Sequence, residues 1–208
     1  MQRELRPLVS TTTPADLHVR TAAGLDVAYD GDRLAAAVVV LDVADLRIVE
    51  SVVVPGEARF PYVPGLFAFR ELPALLAALR ELTVTPDLLV CDGQGIAHPR
   101  RFGLACHVGV LTGVPAVGVA KTPLSRYDPP DEHRGATTPL TLDDDVVGVA
   151  LRTQPGVRPV FVSPGHLVDT DRAAAEVLRL TPRYRLPETT RQADHLCRQA
   201  LAANRGSG

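Results

Sequence analysis

The sequence predicts an α/β protein in which a mixed β-sheet is flanked by helices. Two short apolar runs, Leu88–Cys91 and Ala116–Ala120, are each followed directly by one charged residue, Asp92 and Lys121. Uninterrupted apolar runs of this length, bounded by Gly and Pro, are typical of strands buried on both faces of a sheet. Between residues 64 and 82, leucine and phenylalanine recur at helical spacing, so we expect a long helix ahead of these strands.

The chain begins with three predicted strands, at residues 24–29, 33–43 and 46–55. Gly31 and the pair Ala44-Asp45 separate them by short turns. Apolar segments joined by such short connections predict an antiparallel meander at the start of the sheet.

The second half of the chain alternates between helices and strands. After the helix at 64–82, a helix at 101–113 separates the two buried strands, and residues 122–142, rich in Pro, Asp, Thr and Gly, predict a long exposed loop. The remaining predicted elements are strands at 146–152 and 159–162 and helices at Thr170–Arg179 and Glu188–Ala203. Three antiparallel strands followed by alternating helices and parallel strands is the ribonuclease H-like arrangement, and we expect residues 1–208 to form one domain.

The composition is that of a globular protein from a reducing compartment. Of the 208 residues, 46% are hydrophobic, and the net charge of −2 argues against broad non-specific binding to nucleic acid but not against a local basic groove. Three cysteines without Cys-x-x-Cys spacing indicate neither a disulfide framework nor a zinc site. No signal peptide or membrane span is recognisable, so we expect a cytoplasmic protein without an obligate protein partner.

Lys121 is the only lysine, against 21 arginines. It lies at a predicted strand end, where α/β proteins place ligand chemistry, and not on a solvated helix face where lysine and arginine are nearly interchangeable. A lysine is a compact point charge that can also release a proton, whereas an arginine stays charged. Chance retention of a surface lysine is the alternative, and the pattern favours a functional role.

Three carboxylates occupy positions where burial is expected. Asp26 interrupts the first strand, Glu71 lies in the first turns of the long helix, and Asp92 follows the fourth strand. Each alone could be a helix cap or a salt-bridge partner. In a ribonuclease H-like order, however, the first and fourth strands are adjacent, and the helix can bring Glu71 to the same point. Buried carboxylates usually pair or bind a metal, and hard oxygen ligands suit Mg²⁺ or Mn²⁺, which could act on a phosphodiester.

Two histidines are further candidates. His98 lies on a loop shortly after Asp92, and His166 follows the strand at 159–162, so both are predicted at strand exits where a metal contact or proton transfer is feasible. His107 is predicted to be a hydrogen-bonded core residue. The glycines Gly93 and Gly95 indicate a tight turn, or a place where a base or phosphate approaches the backbone closely.

Several long blocks resemble the endonuclease V family, whose members are repair nucleases that recognise inosine. The blocks are GLDVAY (24–29), FPYVPGLFAFRELPALL (60–76), PDLLVCDGQGIAHPRRFGLACHVG (86–109), VPAVGVAK (114–121), SPGH (163–166) and RLPETTRQAD (185–194). They cover most of the chain in the family's order. The resemblance implies a ribonuclease H-like fold and Mg²⁺-dependent hydrolysis of the second phosphodiester bond on the 3′ side of deoxyinosine in DNA.

The resemblance also implies roles for individual residues. Asp26, Glu71 and Asp92 become the metal-site carboxylates, and Lys121 is expected to hold the scissile phosphate or to protonate near it. His98 and His166 are expected to support the site. The residues expected to contact nucleic acid are a strand-parting wedge of Pro61, Tyr62 and Pro64, with Tyr62 filling the space left by the base, and a hypoxanthine pocket of Gly65, Gly93, Gly103, Leu104, Gly118 and Leu124.

The sequence departs from the family at three places. Gln94 stands where many bacterial members have histidine, the segment before Asp26 is shorter, and residues 122–142 match poorly. None of these departures removes a carboxylate that the resemblance assigns to the metal.

The sequence leaves other functions open. An endonuclease that prefers inosine in RNA is one alternative, because contacts to the 2′-hydroxyl are not legible from sequence. A catalytically silent inosine-binding protein is a second alternative, although retention of the three carboxylates and the sole lysine argues against it. A metal-dependent hydrolase of small molecules on the same fold is a third.

Overall fold

The computed structural model describes residues 2–58 and 67–203. The strands are β1 (Thr21–Asp30), β2 (Arg33–Asp42), β3 (Ile48–Glu57), β4 (Leu88–Cys91), β5 (Ala116–Ala120), β6 (Thr137–Leu142), β7 (Asp145–Leu151) and β8 (Val160–His166). The helices are α1 (Gln2–Leu5), α2 (Phe67–Arg80), α3 (Leu104–Thr112), α4 (Thr170–Arg179) and α5 (Glu188–Ala203), with a 3₁₀ turn at Arg6–Leu8. No helix among the described residues is long and apolar enough to cross a membrane.

The strands form one mixed sheet in the order β3-β2-β1-β4-β5-β8-β7-β6. β1, β2 and β3 are an antiparallel meander, and β4 and β5 run parallel to β1. The predicted ribonuclease H-like α/β fold is therefore confirmed. The alternation of helix and parallel strand ends at β5, because the β6–β7 hairpin and not a helix leads to β8, which returns antiparallel to β5.

The prediction that residues 122–142 form a loop is wrong for the last six residues, which are β6. The proline content of this segment predicts a loop, but Pro139 lies in β6, an edge strand where a missing backbone N–H is tolerated. Asp143 and Asp144 both have positive φ, at 49° and 66°, as a two-residue hairpin turn requires. Leu140 is completely buried and attaches this strand to the core.

Helices cover both faces of the sheet. Alternate residues of β2 face opposite sides: Ala36, Val38 and Val40 pack beneath α2, while Ala37 and Val39 pack beneath α5. α3 lies on the same face as α2, and α4 shares the face of α5. Residues 34–41 of β2 are all apolar, as expected for a strand that is buried on both faces.

Gly24 sets the distance between β1 and α5. A Cβ atom at this position would lie 2.1 Å from the carbonyl carbon of Thr189, so any larger residue collides with the backbone of α5. The helix can therefore lie directly on β1. Side chains on the next turns of α5 reach the face of β1 that carries Asp26.

Candidate active site

The three predicted carboxylates converge on one cavity. Leu25 of β1 pairs with Cys91 at the end of β4, so the next residues, Asp26 and Asp92, lie side by side on these two neighbouring strands. Glu71, only 4% exposed, approaches from α2 on the opposite side to α5. All three line one cavity of about 920 Å³ (the central cavity).

Burial and mutual repulsion raise the pKa of two of these acids, Asp26 and Glu71. Burial, and then the charges of Asp92 and Asp194, raise the pKa of Asp26 to about 7, although Lys121 acts in the opposite direction. Burial, and then the charges of Asp26 and Asp92, raise the pKa of Glu71 well above its ordinary value. The cavity thus gathers acidic groups whose ionised forms are disfavoured by burial and by one another.

Lys121 supplies a cation at the rim of the cavity. It follows β5 directly, and its Nζ donates a hydrogen bond to the Asp92 carboxylate. Partial burial alone would lower the pKa of Lys121, but the hydrogen bond to Asp92 and the nearby acids raise it overall. The side chain is 47% exposed, so a ligand in the cavity can reach the ammonium group.

Asp194 and Arg198 are cavity residues that the sequence interpretation missed. Both lie on α5 and line the central cavity, and the Nε of Arg198 is 2.8 Å from Oδ1 of Asp194. The sequence carried only part of the signal: Asp194 stands beside the apolar stripe Ala193, Cys197 and Leu201, which the structure places against β1 and β2. An acid at the margin of an apolar helix face points along that face.

The donor set fits a hard divalent cation in its chemistry. The acids of the central cavity are oxygen donors, the ligand type that hard divalent cations prefer. Burial, and then the charges of Asp92 and Asp194, raise the pKa of Asp26, and a bound cation would act in the opposite direction. Among residues 2–58 and 67–203, no three His, Cys, Asp or Glu side chains already meet in a metal-binding cluster. The Lys121 ammonium occupies one side of Asp92 in this arrangement.

Of the three histidines discussed above, one lines the central cavity and two do not. His98 is 6% exposed and lines the central cavity, and its Nδ1 accepts a hydrogen bond from the Arg100 N–H. His107 is buried as predicted, but its ring nitrogens have no hydrogen-bond partner among the described residues. The ring instead packs edge-on against Phe102, and burial lowers its pKa to about 4.

The prediction that His166 joins the site is wrong about its position. His166 pairs with Ala116, at the start of β5, whereas Lys121 follows the end of that strand. The two residues are therefore separated by the length of β5, about 15 Å at the rise of an extended strand. The physical reason is strand direction. Because β8 is antiparallel to β5, its last residue lies beside the first residue of β5 and not beside the last one. There Nδ1 of His166 accepts a hydrogen bond from the Ser10 N–H.

Some of the residues predicted to contact nucleic acid line the central cavity, and others do not. Gly93, Gly103, Leu104 and Leu124 line the central cavity. Gly95 and Gly118 do not, because they are packed against backbone. A Cβ at Gly95 would lie 2.0 Å from the Pro164 carbonyl oxygen, and one at Gly118 would lie 2.4 Å from the Gly95 nitrogen. Their role is close packing of the strand ends.

The predicted wedge lies outside the part of the chain that the structure describes. It comprises Pro61, Tyr62 and Pro64, and it is followed by Gly65 of the predicted pocket.

Comparisons with known proteins identify the relatives of this chain. The family model described as Endonuclease V matches residues 3–195. Endonuclease V from Nocardia farcinica is 58% identical over 208 residues, covering 99% of this chain and 92% of that protein. The crystal structure of Endonuclease V from Streptomyces avermitilis has a TM-score of 0.93 at 55% identity, covering 98% of this chain and 91% of that one.

A solved complex is also similar. Ciona intestinalis Endonuclease V, bound to a 24mer DNA containing an inosine followed by a ribo-adenosine, has a TM-score of 0.85 at 26% identity. The match covers 97% of this chain and 95% of that one.

Proposed function

Because the chain belongs to the endonuclease V family, we propose that it is a Mg²⁺-dependent endonuclease that recognises deoxyinosine in DNA. It hydrolyses the second phosphodiester bond on the 3′ side of the lesion and so initiates repair of deaminated adenine. The observation that carries this proposal is the convergence of Asp26, Glu71 and Asp92 with the sole lysine at one cavity. The binding of inosine-containing DNA by the Ciona relative supports the choice of substrate.

Asp26, Glu71 and Asp92 would hold Mg²⁺, or Mn²⁺ in its place, and the structure adds Asp194 as a fourth candidate. The ion would activate a water, neutralise phosphate charge and steady the leaving oxygen. The carboxylates must be ionised to bind it, and the pKa of Asp26 at about 7 therefore makes ion binding strengthen as the pH rises toward neutrality and above.

Lys121 would contact the scissile phosphate. Its raised pKa keeps the ammonium charged at neutral pH, so it can bind a phosphate oxygen or donate a proton to the leaving oxygen. To do so it must exchange its hydrogen bond with Asp92 for one with the substrate. His98, which is buried at the wall of the same cavity, would support the site by fixing the loop that follows Asp92.

The altered base would be recognised after it leaves the stack. Gly93, Gly103, Leu104 and Leu124 would form the wall against which hypoxanthine lies, and Tyr62 would fill the vacated space. Extruding a base costs a few kcal/mol, and the cost is lowest at a mispaired base, so this step itself favours the lesion.

RNA is the second candidate substrate. The DNA in the Ciona complex carries a ribo-adenosine directly after the inosine, which favours an enzyme of this family that tolerates ribose beside the lesion. An endoribonuclease acting on inosine would use the same carboxylates and the same lysine.

The substitution Asp92→Ala tests the proposal. It removes a predicted metal ligand but leaves the walls of the base pocket, so cleavage of an inosine strand should fall to background while binding, measured by gel shift, is retained. The matched control is Asp16→Ala, an exposed acid that does not line the central cavity. Binding without cleavage by the wild-type protein would instead establish a silent inosine binder. Failure of the wild type to shift an inosine duplex would favour a small-molecule hydrolase.

A further inference from the structure

The backbone that carries Lys121 is held by two side chains from different parts of the chain. The last strand pair of β5 is Ala120 with Phe161, so Lys121 and Thr122 lie beyond the sheet ladder. Nη2 of Arg185 donates to the Lys121 carbonyl at 3.0 Å, and Nε2 of Gln94 donates to the Thr122 carbonyl at 3.0 Å. Two consecutive carbonyls that have left the sheet are thus each bound by a side-chain donor.

The main chain at Gln94 is hydrogen-bonded to two other parts of the fold. Gln94 is 9% exposed. Its main-chain carbonyl accepts a hydrogen bond at 3.1 Å from the N–H of Ala105, at the start of α3. The next residue, Gly95, donates its N–H to Oγ of Ser163 at 2.8 Å. Because Gln94 lies two residues after Asp92, it connects the backbone that carries Asp92 to the backbone that carries Lys121.

Arg185 connects the same point to two further elements. Its Nη2 also donates to the Pro159 carbonyl at 2.9 Å, and its Nε donates to the Arg158 carbonyl at 2.9 Å. The guanidinium group therefore joins the end of β5, the start of β8 and the segment that leads into α5. In these contacts Nε and Nη2 of Arg185 donate only to main-chain oxygens.

We propose that Gln94 and Arg185 are positioning residues that fix Lys121 for catalysis. A lysine side chain has four rotatable carbon–carbon bonds, so its ammonium group finds a defined place only if its backbone is fixed and its partner is near. The two donors fix the backbone, and the Asp92 carboxylate fixes the ammonium group. The inference rests on the proposed function of this site, and it assigns a role to Gln94, one of the places at which the chain departs from the family.

The first test does not depend on activity. Lys121 is the only lysine, so protein labelled with ¹³C in lysine gives one set of side-chain NMR signals. In chelator, Gln94→Leu should move the Cε signal of Lys121 toward that of free lysine. The matched control is Gln154→Leu, which removes the same kind of bond, from a glutamine Nε2 to the Thr181 carbonyl at 2.8 Å, outside the central cavity. The control should leave the signal in place.

Arg185→Leu should shift the same signal in the same direction. Its control is Arg134→Leu, because Nη2 of Arg134 also donates to main-chain carbonyls, those of Leu178 and Thr181. Thermal unfolding of each variant identifies any that fails to fold. If Arg185→Leu does not fold, the comparison of Gln94→Leu with Gln154→Leu decides the test. An unmoved Lys121 signal in folded Gln94→Leu would overturn the inference.

The second test separates positioning from general damage. In single-turnover cleavage of an inosine strand, Gln94→Leu should slow the chemical step about 10- to 100-fold, the scale expected for a misplaced catalytic group, with little change in substrate binding. In a Lys121→Ala background the same change should have no further effect, because the residue it positions is gone. An equal loss in both backgrounds would overturn the inference. If the wild type cleaves no inosine strand, the proposed function fails, while the NMR result still decides the positioning role.

Discussion

Removing the charge of Asp26 should stabilise the metal-free protein at high pH. The pKa of Asp26 is raised from 3.8 to about 7, so the folded protein pays for ionising a group that the unfolded chain ionises freely. At about 1.4 kcal/mol per pH unit, the shift corresponds to at most about 4 kcal/mol, since water in the cavity screens part of the charge. An acid with a raised pKa contributes stability at low pH and loses it as the pH rises from its unfolded value through its folded value. The window here runs from 3.8 to about 7.

Urea unfolding in chelator measures this effect. Between about pH 5 and about pH 8, the free energy of unfolding of the wild type should fall by roughly 3 kcal/mol. That of Asp26→Asn should not show this fall, because the amide does not ionise. The control Asp16→Asn, at an exposed position, should follow the wild type. Saturating Mg²⁺ at the higher pH should stabilise the wild type by about 3 kcal/mol at 100 times its dissociation constant, but should stabilise Asp26→Asn much less. Parallel pH profiles for wild type and Asp26→Asn, or equal stabilisation of both by Mg²⁺, would refute the reasoning.

Two further substitutions test the packing and the wedge. Gly24→Ala should destabilise the fold by about 3 kcal/mol or more in thermal unfolding, because the new Cβ meets the backbone of Thr189 at 2.1 Å. Gly56→Ala meets only the flexible end of Leu34 at 3.1 Å and should cost far less; similar losses for the two would contradict the packing argument. Tyr62→Ala should reduce cleavage of duplex DNA more than of single-stranded DNA, and an equal fall on both would exclude the wedge role.

The sequence contained enough to predict which strands are buried and where the acids meet. Leu88–Cys91 and Ala116–Ala120 have no polar residue, which only a doubly covered strand tolerates, and both proved completely or almost completely buried. Once β1 and β4 were predicted to be neighbours, Asp26 and Asp92 had to emerge together. These steps use local patterns and the order of elements, and both are legible in a single sequence.

The sequence did not reveal the direction of β8 or the packing of α5 on β1. The apolar run that precedes His166 is the same whether β8 runs parallel or antiparallel to β5, so the pattern placed His166 at the wrong edge. Asp194 was missed because its neighbours Ala193 and Cys197 mark α5 only as a packed helix, and its approach to Asp26 depends on how closely Gly24 lets that helix lie. The hydrogen bonds predicted for the His107 ring are absent among the described residues, where the ring packs edge-on against Phe69 and Phe102.

The most direct test of the account is mapped cleavage of end-labelled strands. Matched DNA and RNA oligonucleotides, each carrying one inosine or an adenosine in its place, would be incubated with Mg²⁺ or with chelator. The account predicts a Mg²⁺-dependent nick at the second phosphodiester bond on the 3′ side of inosine, faster in DNA than in RNA, and no nick in the adenosine strand. Cleavage that ignores inosine, or that persists in chelator, would contradict it.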